Sequence, residues 1–187
     1  MSVVTRRTAE TDITVDLSFS DGAPDLTADT APVADTGDRF LDHMLVTLGR
    51  YAGARLSVEA TGDLRHHLVE DVGITLGVAL ARALPDACRR YADVVVPMDD
   101  ALVQAALDAG GRPYYEGRLP SRLYEHFLRS LAHAGGVTLH VRVLRGRDRH
   151  HVVEAAIKAV GLCVREASRA TGVVFSTKGS IDLSVSD

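Results

Sequence analysis

The chain has 187 residues, 46% of them hydrophobic, with a formal net charge of −4 and a pI near 6.0. That length can bury a full core, as one large domain or as two small fused halves, and the acidic balance sets aside nucleic acid or an anionic membrane as the main partner. No stretch approaches the roughly 18 apolar residues of a membrane span and no charged-then-apolar leader opens the chain, so with Cys88 and Cys163 read as reduced core thiols a cytoplasmic protein is expected.

In chain order, residues 8–20 alternate around Ile13, Val15, Leu17 and Phe19 with the period of a half-buried strand, and Glu10 stands at its start. Residues 21–37 are rich in Asp, Ala, Thr and Pro without periodicity and read as a long loop. A helix begins at Phe40-Leu41-Asp42-His43-Met44-Leu45; with apolar neighbours on its face, His43 taken alone reads as a core histidine. Residues 56–60 form a short strand and 61–63 a turn, and His66-His67-Leu68-Val69-Glu70 then opens a glycine-punctuated apolar helix. Arg89, Arg90 and Tyr91 close this half. The second half restarts near Val94, with a strand over 101–107, a turn over 108–112, a helix over 127–132, a strand over 137–144 and a turn over 145–148. His150-His151-Val152-Val153-Glu154 then opens another apolar helix. Two half-repeats, 1–92 and 93–187, fused in one compact unit are expected.

The His-His-x-x-Glu element written twice carries the chemistry. Adjacent helical residues diverge by about 100°, whereas residues four apart share a face. His66 and Glu70 can therefore grip one object while His67 points at another. One copy alone is more simply a surface or capping cluster; repetition of the whole pattern favours two metal sites. Aligning the halves sets His43 over Ser130 and Ser57 over His140, so each half adds one imidazole from a different element. This yields four ligands for each of two ions: His66, Glu70, His140 and His151 for one, His43, His67, His150 and Glu154 for the other. Imidazole and carboxylate without thiolate suit Mn²⁺ or a similar divalent ion with open positions better than a closed structural zinc. His126 and His133 fall outside this scheme and read as structural or exposed. Arg90, Arg112, Lys158 and the terminal Ser176-Thr177-Lys178-Gly179 are candidate holders of a phosphate.

Together Phe40-Leu41-Asp42-His43-Met44-Leu45, His66-His67-x-x-Glu70-Asp71, Pro97-Met98-Asp99-Asp100-Ala101-Leu102, Gly111-Arg112-Pro113-Tyr114, Leu139-His140-Val141-Arg142, His150-His151-x-x-Glu154-Ala155 and Ser176-Thr177-Lys178-Gly179 resemble the imidazoleglycerol-phosphate dehydratase family of histidine biosynthesis, in order and over nearly the whole chain. The resemblance implies an α+β fold of two similar halves, each a four-stranded sheet with two helices, the helices packed between the sheets as in ribosomal protein S5 domain 2. It further implies two Mn²⁺ per active site and self-association into 24 subunits built from trimers, without nucleic acid or membrane. The implied reaction converts imidazole glycerol phosphate to imidazole acetol phosphate with loss of water. The proton to be removed has no carbonyl beside it, so the substrate's imidazole ring, bound through its nitrogens to the two ions, is the implied electron sink. Glu10 matches the family's proton-transferring carboxylate and also contacts substrate; Arg90, Arg112, Lys158, Ser176 and Lys178 match substrate-binding positions.

The chain departs from the family in having Arg65 and a short turn where aspartates usually precede the first His-His, and Leu68 where threonine is usual; its loop over 21–37 is also longer. A missing aspartate would remove a partner that orients a ligand imidazole. A dinuclear phosphate-ester hydrolase would show more aspartate ligands, and a shell protein merely stapled by metal has no use for Glu10 or the terminal Ser-Thr-Lys-Gly.

Overall fold

The structure, a computed structural model, describes residues 2–19 and 31–173. In the first half, strands β1 (Ser2–Arg7), β2 (Thr11–Phe19), β3 (Val33–Asp35) and β4 (Ala54–Gly62) form a sheet in the order β1-β2-β4-β3, with helices α1 (Arg39–Ala52) and α2 (Arg65–Ala83). The second half repeats this plan: β5 (Tyr91–Met98), β6 (Ala101–Asp108), β7 (Tyr114–Gly117) and β8 (Thr138–Arg145) in the order β5-β6-β8-β7, with α3 (Arg122–Ala134) and α4 (Arg149–Ala167). Its first strand opens at Tyr91, two residues ahead of the position where the sequence divides the halves. Pairing is antiparallel except for β3 with β4 and β7 with β8, which run parallel.

The alternation expected around Ile13 and Leu17 is real: Ile13, Val15 and Leu17 are buried and register against Ala60, Val58 and Leu56 of β4. Four strands went unread in the sequence, and all four are sheet edges: β1, β3, β5 and β7. An edge strand has a ladder on one side only and buries less, so its hydrophobic alternation is weak. In particular, part of the stretch read as loop is β3, whose three residues pair with Ser57, Val58 and Glu59.

The helices form the middle layer. α2 lies on β1 and β2, α4 lies on β5 and β6, and the two halves meet where α2 packs on α3 and α4 on α1. Glycines set how closely these helices approach. A Cβ built on Gly77 would stand 2.5 Å from the Leu131 carbonyl oxygen of α3, and one on Gly161 would stand 2.9 Å from the Leu48 carbonyl oxygen of α1. Gly77 and Gly161 lie eleven residues after His66 and His150 respectively, so the same device serves both helix pairs.

Cys163 is fully buried, and burial pushes its thiol pKa up to about 12. Cys88, by contrast, is only half-buried and bridges to Ala170 outside the main sheets, so the core-thiol reading holds for one cysteine of the two. Among the described residues no helix is long and apolar enough to cross a membrane.

Alanine has the better intrinsic helix propensity by about 1 kcal/mol, yet Gly77→Ala is expected to lose about 1–3 kcal/mol because a backbone carbonyl cannot step aside as a side chain can. Denaturant unfolding of the metal-free protein measures this, and a stabilised variant would show that the α2–α3 spacing is adjustable.

Candidate metal centre

All four helices begin at the same end of the middle layer. The Phe40 ring of α1 meets Tyr124 of α3 edge-on at 4.9 Å and lies 5.4 Å from His150 of α4. Arg65, at the start of α2, pairs with Asp38, the N-cap of α1, whose carboxylate also accepts from the Phe40 and Leu41 N–H groups. In the second half Arg149, at the start of α4, donates to Ser121, which precedes α3, at 3.1 Å. Each arginine before a His-His pair thus ties its helix to the other helix of its own half, and Arg65 has a structural role where the family pattern differs.

At this shared end the imidazoles and carboxylates fall into groups. His43, His150 and Glu154 can bring donor atoms within 4.8 Å of one another. Glu154 Oε2 lies 3.0 Å from His150 Nε2 and 3.4 Å from His43 Nε2, and the two rings stack with centroids 6.0 Å apart. Burial pushes the Glu154 pKa up, but Lys158, 3.0 Å away, and His43 outweigh it and hold the carboxyl below its ordinary range. A second group joins His66, Glu70 and His126, again within 4.8 Å. His126, expected to be structural or exposed, is here half-buried against the first motif: its ring stacks on His66 at 5.2 Å, and its Nε2 lies 3.3 Å from Glu70 Oε2. His133 is exposed, as expected.

The second histidine of each motif points elsewhere and meets a carboxylate at Nδ1. Asp63 Oδ1 lies 2.9 Å from His67 Nδ1, and Asp100 Oδ1 lies 2.7 Å from His151 Nδ1. A carboxylate on one ring nitrogen fixes the ring and turns the other nitrogen toward a metal. The orienting aspartate that the shortened turn was expected to lack is therefore present, as Asp63. Its spacing of four residues from His67 was a readable signal; Asp100, on the β5–β6 turn 51 residues from His151, offered none. The hydrogen bonds to these aspartates raise both imidazole pKa values, with the nearby acids adding to the effect. In return, Asp100, which also accepts from the Arg147 and Asp148 N–H groups, is lowered to about 2.

Glu10 lies on the β1–β2 turn with Oε2 3.6 Å from His67 Nδ1. Asp71, buried on α2, holds that turn in place: it accepts from Thr11 Oγ1 at 2.6 Å and pairs with Arg6 at 3.0 Å. Glu10 thereby stands beside the first motif although 56 residues separate it from His66.

His140 joins none of these groups among the described residues. It is exposed on β8, between buried Leu139 and Val141, and so faces outward from the sheet, away from the helices. There it lies 5.6 Å from the Tyr114 ring and lines an open depression of about 570 Å³ with Arg89, Asp108 and Thr138. Arg90 and Arg112 are close by: Arg90 donates to Asp108 at 2.7 and 3.1 Å, and the Arg112 carbonyl accepts from Thr138. Lys158 is apart from them, on Glu154. Ser176 and Lys178 lie outside the described residues. Of the eight proposed ligands, one chain thus gathers three around Glu154 and two around Glu70, and leaves His67, His151 and His140 in other places.

Comparison with known proteins decides the family. The family model for imidazoleglycerol-phosphate dehydratase matches residues 36–164. The chain belongs to that family. Imidazoleglycerol-phosphate dehydratase from Methanoculleus marisnigri is 44% identical over 96% of this chain and 98% of its own length, and that from Thermus thermophilus is 45% identical over 95% and 97%. Among solved structures, the enzyme (IGPD) from Pyrococcus furiosus, in complex with (S)-C348, superimposes with a TM-score of 0.82 at 38% identity over 95% of this chain and 99% of that one. The Staphylococcus aureus dehydratase gives a TM-score of 0.74 at 27% identity over 91% and 100%. The lyase activity of the imidazoleglycerol-phosphate dehydratases, a step of histidine biosynthesis, is accordingly this chain's.

The Asp100–His151 pair can be tested directly. A histidine whose folded pKa is raised stabilises the fold fully below its unfolded value and loses that contribution as pH rises through the raised value; Asp100, being lowered, contributes above its ordinary value and loses this as pH falls through about 2. NMR titration of the metal-free protein is expected to show His151 titrating above its ordinary range, and Asp100→Asn should return it toward that range. An unmoved His151 titration would show that Asp100 does not hold the ring.

Proposed function

We propose that this chain dehydrates imidazole glycerol phosphate to imidazole acetol phosphate at di-manganese sites completed between copies of itself, in a particle of 24 subunits built from trimers, in the cytoplasm. The observation that carries the reading is the division of the ligand set within one chain. His140 lies on the outer face of its sheet, whereas the other seven residues are at the shared end of the helices or on the adjoining surface. One folded chain therefore presents incomplete sites, and a second copy can supply what each lacks. The outer face carrying His140 also exposes Tyr91, Val95, Tyr114 and Leu144, apolar surface of the kind a subunit contact covers.

The donor chemistry fits Mn²⁺. All the groups are imidazole or carboxylate, no thiolate is near, and a carboxylate on the Nδ1 of His67 and of His151 leaves Nε2 as the donor. His66, Glu70, His140 and His151 would hold one ion, and His43, His67, His150 and Glu154 the other. Bound there, the two ions supply positive charge toward which the substrate's imidazole ring can draw electron density.

The remaining work falls to the chain's own residues. Water is lost as a hydroxyl and a hydrogen of the glycerol chain, and Glu10 is the one exposed carboxylate of the β1–β2 turn beside the first motif, free to carry that proton. Arg112, in the β6–β7 turn, and Arg90, packed against that turn next to the His140 face, would hold the phosphate together with Lys158, Ser176 and Lys178. A phosphate bound there would compete with Asp108 for Arg90.

Glu10→Gln is expected to bind metal and substrate normally but turn over at least about 100-fold more slowly, the scale of losing a general acid or base. Near-wild-type kcat would remove Glu10 from the chemistry. Because metal that binds only the assembled state stabilises assembly by mass action, chelation should release small oligomers, trimers foremost, and added Mn²⁺ should rebuild the large particle. Sedimentation velocity with and without chelator is the measurement, and a large particle that survives verified metal removal would contradict sites shared between subunits.

A further inference from the structure

The two halves are not equivalent where α3 is concerned. In one helix pair α1 brings His43 to the motif of α4; in the other pair α3 brings His126 to the motif of α2. The position that aligns with His43 holds Ser130, and His126 lies one helical turn earlier, so the second half supplies its imidazole from a different place on the same helix. The chemical setting differs as well. The His43 side chain is 48% exposed, open to an arriving ion. The Nε2 of His126 is buried, without a hydrogen-bond partner among the described residues, and the polar atom it faces is Glu70 Oε2 at 3.3 Å, a close approach off the line of a good hydrogen bond. A buried ring nitrogen left unpaired is costly, and a small turn of the Glu70 carboxyl group would satisfy it.

We propose that His126 is a positioning residue for the metal site of His66 and Glu70. Its Nε2–H donates to one carboxylate oxygen of Glu70 and leaves the other facing the ion, while the face of its ring, stacked on His66 at an interplanar angle of 13°, holds the His66 ring plane. Its Nε2 is buried against Glu70, which suits a donor to that carboxylate. Nothing in the chain's ligand pattern pointed to it. The proposal rests on the metal reading above, and the experiment separates the two.

The test is Mn²⁺ binding by the full-length protein, followed by the loss of the free-ion EPR signal on titration, with bound metal counted by elemental analysis and folding checked by circular dichroism. His126→Phe keeps the ring and its stacking but removes the donor; His126→Gln keeps a donor. For His126→Phe, one of the two ions is expected to bind 10–100-fold more weakly, the usual cost of losing a group that orients a ligand, with two ions per chain still reached at saturation. His126→Gln should recover much of that affinity, which a purely packing role would not allow. His66→Ala should lose one ion outright and calibrates ligand loss. If His126→Phe likewise loses an ion at saturation, His126 is itself a ligand and the positioning role is wrong. Equal affinity in wild type and His126→Phe, or equal damage in the Phe and Gln variants, also overturns it. A wild-type chain that binds no Mn²⁺ would overturn the metal reading and this proposal with it.

Discussion

A carboxylate taken out of water must be given partners, and in this fold that requirement joins the helices to the rest of the molecule. Asp71 and Glu154 are the buried acids among the described residues, one on each motif helix. Asp71 is answered by Arg6 and Thr11, which clamps α2 to the β1–β2 turn; Glu154 is answered by Lys158, His43 and His150, which clamps α4 to α1. Burying either acid alone would cost far more than a surface ion pair returns. The same contacts bring the candidate site residues together, since Thr11 adjoins Glu10 and Glu154 itself belongs to the group with His43 and His150.

The two similar halves share a scaffold on which the side chains differ. Both motif helices carry an arginine, two histidines and a glutamate in register, and both use a glycine at the same offset to approach a partner helix. Around them the roles are redistributed. The β1–β2 turn carries Glu10, 3.6 Å from the Nδ1 of His67, whereas the β5–β6 turn carries Asp100, bonded to the Nδ1 of His151. Asp148 caps α4 through the N–H groups of His150 and His151, while α2 has no side-chain cap and Asp63 serves His67 instead. The two similar halves thus place different groups around matching motifs.

Much of this was legible in the residues themselves. The helices were readable because His-His-x-x-Glu places its donors by helical geometry and runs into a glycine-punctuated apolar stretch, and β2, β4, β6 and β8 were readable because central strands bury one face fully. Asp63 could have been found from its four-residue spacing to His67. The edge strands could not, since even their covered face is only partly buried.

The chain by itself determined the residue types of the candidate site, their division between two faces of each motif helix, and the family, because these depend on local periodicity and on the order of motifs. Tertiary structure alone decided that all four helices start at one end, that Asp100 and Glu10 arrive there from distant turns, that His126 stands behind Glu70, and that His140 faces the opposite way from the groups it was expected to join. Those facts follow from how helices pack and which face of a strand is covered, and no spacing along the chain encodes them: a contact between residues 51 or 60 apart exists only once the intervening sheet and helix have closed upon each other.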